Sequence, residues 1–420
     1  GVPYSTPGTP TVVVREALDL GNLDYRKRWL QGRSSTRLDL VREPQQGDLE
    51  VPVIPLPGQL SFGIGATLDD LRDNVARLTK EAATQVLSRI EDTIRRSAVG
   101  SAQYFVLAVP RPKQSGTEDV HLIAGRISGE EADRVRSTNQ SKRTMTSVVG
   151  ETEIQWCTVS DERDLRITRR DVRRPVTSFK GKTIVLWGCG GLGTWIGEFL
   201  ARAGAKKIVL ADPGMVMGGL LVRQNFDEED IGAAKAVALR KRIASINDRV
   251  EVVVGPDFTT IIASGDLPVC DILIDATINR SVGAAISSVW SKSRGRPLIA
   301  RLCTDRSTST LGLMTVARPG SEADLGDLDV RAGRTVQNNA ELEPYRCFWE
   351  EPSQGDEVVP EPGCSIPTFH GSAADLAAIA GVLVSLLGQH IDVENPGTHL
   401  VGLPHGPGAT VPHRWISEGT

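Results

Sequence analysis

The chain has 420 residues, and 48 Lys and Arg set against 52 Asp and Glu leave a formal net charge of −4. That balance supplies no electrostatic footprint for nucleic acid, and no apolar run reaches the roughly 20 residues of a membrane-spanning helix, the longest, at 376–387, being interrupted by Gly381 and Ser385. Hydrophobic residues at 40% and charged residues at 24% describe a globular composition, and the length suggests two or three domains.

Residues 1–60 are rich in Pro, Gly and Arg and show no sustained period, which predicts extended or irregular backbone. From Thr67 the pattern changes. Leu68, Leu71, Val75, Leu78, Ala82, Val86, Ile90 and Ile94 recur at spacings of three and four and predict one long amphipathic helix. Strand-like runs follow at 104–110, 120–127 and 153–159, so residues 1–165 read as a small α+β domain. No motif there carries chemistry, which leaves partner binding or dimerisation as its role. The arginine-rich LRITRRDVRRP at 165–175 reads as a solvated link.

Across residues 166–420, the apolar runs TIVLWG, KKIVLAD, VEVVVG, CDILIDAT, RPLIARL and TLGLMTVARP alternate with helical patterns. Apolar strands separated by helices predict an α/β fold: a Rossmann-like, doubly wound, mostly parallel sheet covered on both faces. Within the run 183–212, Gly188, Gly190, Gly191 and Gly193 lie between a buried-type strand and an amphipathic helix. Glycines let the backbone turn tightly against a phosphate, and the helix N-terminus presents free N–H groups and the positive end of its dipole. Asp212 closes the second strand 19 positions beyond Gly193, where a carboxylate can accept hydrogen bonds from ribose hydroxyls. These residues predict a nucleotide site. On their own they serve an NAD-dependent oxidoreductase equally well.

The residues after Asp212 separate the nucleotides. GCGGLG, the aspartate, an RQ pair eleven residues on, DIGxxKA, a helix ending in IN, and LIDAT at 273–277 together resemble the ThiF/MoeB/HesA family of ubiquitin-activating-like adenylyltransferases, over about residues 165–420. The resemblance implies ATP, with the glycine loop beneath it, Asp212 on the ribose, and Arg223 and Lys235 on the phosphates. The implied reaction is adenylation of the C-terminal carboxylate of a ubiquitin-like protein ending in glycine, by a homodimer whose Arg169, Arg170, Arg173 and Arg174 are candidates to reach a nucleotide. In some bacterial relatives a conjugating enzyme is a further partner and the setting is antiviral defence. The chemistry agrees, since carboxylate attack on an α-phosphate needs cations to hold the triphosphate in line and neutralise charge on the departing pyrophosphate.

Three positions depart from the family pattern. Gly214 stands where a second acidic residue is usual, Leu220 where Asn is usual, and Ile278 where DxTDN would place the metal-binding carboxylate. Two readings remain open: Asp275, three residues earlier, takes over Mg2+, or the chain is a noncatalytic nucleotide-binding scaffold.

Many relatives pass the adenylated acyl group to a cysteine. Cys157, Cys189, Cys270, Cys303, Cys347 and Cys364 include no CxxC pair, which fits a reduced cytoplasmic compartment and a zinc-free branch of the family. Cys364 lies in a Pro- and Gly-rich loop, six residues before His370 and shortly before a helix start marked by Ser372 and Asp375. It is the first candidate for a thioester, with Cys347 and then Cys303 behind it.

Overall fold

A computed structural model describes residues 11–17, 37–40, 49–60, 63–111, 119–138, 149–160, 173–247, 249–255, 263–277, 279–292, 297–350, 370–392, 395–408 and 411–418. The chain divides into two compact units, Gly1–Arg170 and Asp171–Thr420.

In the first unit β1 (Thr11–Ala17), β2 (Arg37–Leu40), β3 (Leu49–Pro55), β4 (Gln103–Arg111), β5 (Asp119–Ile127) and β6 (Gln155–Ser160) close into a barrel in the order β1-β2-β6-β5-β4-β3. Strands therefore occupy parts of residues 1–60, where composition predicted extended or irregular backbone. Their partners lie far off in sequence: β2 pairs in parallel with β6, and β3 with β4. Along β4, Phe105, Leu107 and Val109 pack against helices α1 (Leu68–Ala76), α2 (Lys80–Arg96) and α3 (Gly129–Ser137), while Tyr104, Val106 and Ala108 turn to the other face, the barrel interior.

The single helix expected from Thr67 onward is two. Thr67 caps α1 in a reciprocal box with Asp70, and Thr79 caps a new helix by accepting from the Ala82 N–H. A second capping threonine inside an unbroken apolar period ends one helix and starts the next.

In the second unit, eight strands run in the order β14-β13-β12-β11-β10-β7-β8-β9. They are β7 (Thr183–Trp187), β8 (Lys207–Ala211), β9 (Glu251–Val254), β10 (Ile272–Asp275), β11 (Leu298–Thr304), β12 (Leu311–Ala317), β13 (Gly397–Gly402) and β14 (His413–Ser417). β11, β10, β7, β8 and β9 pair in parallel, whereas β12, β13 and β14 add antiparallel at one side. The expected α/β, mostly parallel sheet is thus present.

Each central strand alternates its faces. Ile184, Leu186, Ile208, Leu210, Ile272 and Ile274 pack with α4 (Gly191–Arg202), α5 (Lys235–Ile246) and α8 (Ala373–Asp392). Val185, Trp187, Leu273 and Ile299 pack on the opposite side with α6 (Arg280–Lys292) and α7 (Leu325–Gln337). Helix α8, 20 residues long, is apolar enough by length and composition to cross a membrane. Here Leu376, Ile379, Ala380, Leu383, Val384 and Leu387 are buried in the core, each worth about 1.5–3 kcal/mol where a large side chain is fully removed from water.

Candidate nucleotide site

The carboxyl ends of β8, β7 and β10 form one cross-strand row, Ala211, Trp187 and Asp275, which Arg301 in the middle of β11 continues, and the candidate residues lie on or just beyond it. In open α/β sheets that rim is where ligands bind.

The chain leaves β7 through Gly188, whose φ of +89° suits glycine. A Cβ there would stand 2.7 Å from the Ala276 carbonyl oxygen, and one on Gly193 would stand 1.8 Å from the Gly188 carbonyl oxygen. Both contacts are with backbone, so neither site can yield to a side chain. Gly190 caps α4 without a side-chain hydrogen bond. The first N–H groups of that helix therefore face the rim with no side-chain acceptor of their own, as an anion requires.

Asp212 spans the loop and the next turn. Its Oδ2 accepts the Cys189 N–H at 2.6 Å and its Oδ1 accepts the Gly214 N–H at 2.7 Å. Gly214 in turn accepts the Lys235 N–H at 2.9 Å, and Met215 bridges to Ala234, which brings the start of α5 to the same rim. A Cβ at Gly214 would lie 2.9 Å from Asp212 Oδ1 and 3.2 Å from Lys235 Nζ. Glycine at this departure from the family pattern makes room for both groups.

Lys235 is the first residue of α5, where the helix dipole disfavours a cation, and Ala234 offers no side-chain cap. An ammonium held at a positive helix end does not serve stability. Two uncapped helix starts and one lysine converge instead on a place suited to an anion. Arg223 is buried at 8% exposure, and burial holds its pKa below the usual guanidinium range. Two residues on, Asn225 docks on α4, donating its backbone N–H to Thr194 Oγ1 at 3.2 Å. Gly188, Gly190, Gly191, Gly193, Asp212, Arg223 and Lys235 are thus brought together around the first turns of α4 and α5. Leu220, where the family has Asn, is buried, and its carbonyl oxygen accepts the Arg223 and Gln224 N–H groups.

Asp275 is placed differently. It lies on the α6 and α7 face of the sheet, 1% exposed, with Oδ1 accepting from the Thr277 N–H at 3.0 Å and from Thr277 Oγ1 at 2.6 Å. Its Oδ2 faces Arg301 Nε at 3.5 Å. Burial pushes its pKa up against the opposing pull of Thr277 and Arg301. A divalent ion needs oxygen ligands; Thr277 occupies Oδ1, whereas Oδ2 is buried without a hydrogen bond and has the Arg301 guanidinium beside it. Oδ2 is thus the one oxygen Asp275 could turn to a cation, and among the described residues no group of three or more His, Cys, Asp or Glu side chains could hold a metal ion.

Cys364 lies outside the described residues, as do Ile278, Arg169 and Arg170. Arg173 and Arg174 are exposed. Cys347 and Cys303 are half-buried, and burial pushes both thiols up to about 12. That leaves them almost wholly as thiols near neutrality, the poorer form for acyl transfer. Cys189 is buried and Cys270 is pushed by burial up to about 12. His370 is exposed, its N–H bonded to the Arg306 carbonyl oxygen and its own carbonyl oxygen accepting from Ser309 Oγ at 2.5 Å.

The rim has the geometry of a nucleotide site, and the comparison with known families gives the class of protein. The ThiF family model matches residues 174–391, just over half of the chain, and the chain belongs to that family. Residues 42–162 match the Cap2 central linker domain. The chain is 30% identical over 204 residues to the adenylyltransferase and sulfurtransferase UBA4 of Candida albicans, covering 48% of this chain and 40% of that protein. It is 26% identical over 176 residues to the ATP-dependent ubiquitin transferase-like protein Cap2 of Vibrio cholerae, covering 41% of this chain and 30% of that one. The matched part is thus less than half the length of either curated relative. Among solved structures, Escherichia coli MccB with ATP aligns at 15% identity and a TM-score of 0.39, over 58% of this chain and 66% of MccB.

Proposed function

We propose that the chain adenylates the C-terminal carboxylate of a ubiquitin-like protein ending in glycine. A carboxylate oxygen attacks the α-phosphorus of ATP, the bond from that phosphorus to the bridging oxygen of the β-phosphate breaks, and pyrophosphate leaves with the bond electrons. The observation that carries this reading is the convergence of the glycine loop, Asp212, Arg223 and Lys235 on one rim of the sheet. Asp212 would accept from the ribose, and Lys235 and Arg223 would counter the charge growing on the leaving group.

A second step follows in this proposal: the Cys364 thiolate attacks the acyl carbonyl carbon and AMP leaves, which gives a thioester. The unit matching the Cap2 linker domain would place the partner or a conjugating enzyme, and the working form would be a cytoplasmic homodimer in bacterial antiviral defence.

Exchange of labelled pyrophosphate into ATP, with and without the ubiquitin-like partner, tests the first step. Exchange that depends on the partner's terminal glycine supports adenylation. The enclosed Asp275 favours a second reading, a scaffold that binds ATP without turnover; ATP binding with no exchange would establish it. A partner adduct released by reductant from the native chain and missing in Cys364→Ala tests the thioester.

A further inference from the structure

Deep in α4, Glu198 is 6% exposed and is bonded to the segment that follows Arg223 and to the helix that begins at Lys235. Its Oε2 accepts from Asn225 Nδ2 at 2.6 Å, and Asn225 stands two residues after Arg223. The same oxygen accepts from Arg242 Nε at 2.9 Å. Arg242 lies seven residues, two helical turns, beyond Lys235, on the same face of α5. Oε1 accepts from Arg202 at the end of α4, from Nε at 2.9 Å and from a terminal nitrogen at 2.8 Å.

The helix carrying this carboxylate begins at the glycine loop. One residue before it, Gly197 lets α5 come close: a Cβ there would lie 3.1 Å from a Leu239 methyl carbon and 3.4 Å from an Ile243 methyl carbon. Burial pushes the Glu198 pKa up, but the hydrogen bonds from Arg202, Arg242 and Asn225 outweigh it and hold the carboxyl below the usual range. The group is therefore an anion at neutral pH, with both oxygens engaged.

Such a network is poor value as a source of stability. Removing charges from water offsets most of their attraction, and apolar residues of similar size often do as well. Its effect is directional: it sets the register of three segments against one another. We infer that Glu198 is a positioning residue for adenylation, holding the Arg223 segment and the Lys235 helix at a fixed distance from the glycine loop through Asn225 and Arg242. The inference rests on the adenylation reading. Errors near 1 Å at a reacting centre cost about 100-fold in rate, which is the scale at which such a tie matters.

The discriminating variant is Glu198→Met, which fills the buried space and leaves Arg202 and Arg242, both partly solvent-exposed, to reach water. The expected result is a melting temperature equal to or above the native one, with kcat for pyrophosphate exchange lowered about 10- to 100-fold and KM for ATP raised. A residue with a merely structural role would move the melting temperature and leave the kinetics alone. The second test is independent of how Glu198→Met folds. Asn225→Asp sets two carboxylates against each other and should lose exchange, while Glu198→Gln combined with Asn225→Asp reverses the hydrogen bond and should restore it. Native kcat and KM in Glu198→Met, or no rescue in the double variant, would overturn the inference while leaving adenylation standing. A native chain that fails to exchange pyrophosphate would remove adenylation itself and this inference with it.

Discussion

Asp275 and Arg301 stand opposite each other on adjacent parallel strands, with the guanidinium Nε 3.5 Å from the carboxylate Oδ2. The arginine lies so close over α6 that a Cβ on Gly283 would fall 2.0 Å from its terminal nitrogen. The pair turns the carboxylate nearest the family's metal position into part of the sheet face. It is a local ion pair, and its removal has a defined signature.

Arg301→Ala should destabilise the chain by about 3 kcal/mol at pH 7, because it leaves a buried carboxylate without its cation. Burial already raises the Asp275 pKa in the folded state, so the folded chain takes up this proton more readily than the unfolded one. Stability linked to this group therefore rises as pH falls through its folded pKa. Denaturant unfolding of native and variant chains at pH 7 and pH 5 should show the gap between them narrowing on the acid side. A gap that widens would contradict this account of the pair.

At the glycine loop, Gly193→Ala should weaken ATP binding at least about tenfold, and Gly188→Ala should act alike. The first would press a methyl against the Gly188 carbonyl, and the second would force a side chain into φ +89° against Ala276. Backbone strain of this kind costs about 1–3 kcal/mol per residue, and relief must come by moving the loop that faces the phosphate. Titration calorimetry with ATP reads the loss; unchanged affinity would show that no phosphate lies against the loop.

Lys235→Ala separates chemistry from folding. The side chain is half-buried at a helix start where its charge is unfavourable, so thermal stability should change by no more than about 0.5 kcal/mol. Pyrophosphate exchange should fall by about 100- to 1,000-fold, the scale of losing one preorganised partner for transition-state charge. A proportionate loss of stability and exchange would mark the lysine as structural.

Three histidines give the second unit an acid limit. His390 Nε2 and His399 Nε2 share a hydrogen bond at 2.7 Å, and His399 Nδ1 and His413 Nε2 share one at 2.8 Å, with Trp415 packed against the first two rings. Burial lowers all three pKa values, His399 to about 3. Between an unfolded value near 6.5 and that folded value, the unfolded chain binds more protons. Stability is therefore full above about pH 6.5 and falls as pH drops, by up to about 1.4 kcal/mol per unit for His399, with His390 and His413 acting in the same direction. His399→Phe should flatten the slope between pH 6.5 and pH 5 by about that amount in denaturant unfolding, and an unaltered slope would refute the assignment.

Local pattern carried a large part of this. The apolar runs at 183–187, 207–211 and 272–275 marked β7, β8 and β10, and Thr67, Ser372 and Asp375 marked helix starts that the structure places there. Glycine spacing and Asp212 located the rim, because a strand–turn–helix joined by glycines is specified within some thirty residues. The short strands among residues 1–60, the break between α1 and α2, and the antiparallel direction of β12 were not legible. Periodicity reports which face of an element is buried, and says nothing of the partner that buries it or of the direction in which that partner runs.

By itself, then, the amino-acid sequence determined the nucleotide-type fold, the glycine loop and the residues beyond Asp212 that mark the family. Only the tertiary structure decided that Asp275 would meet Arg301, and that Glu198 would meet Asn225 and Arg242, 27 and 44 residues along the chain. A carboxylate's role depends on which cation or amide comes to face it. In a sheet with crossover helices that choice is made by strand order and helix packing, which no local window contains.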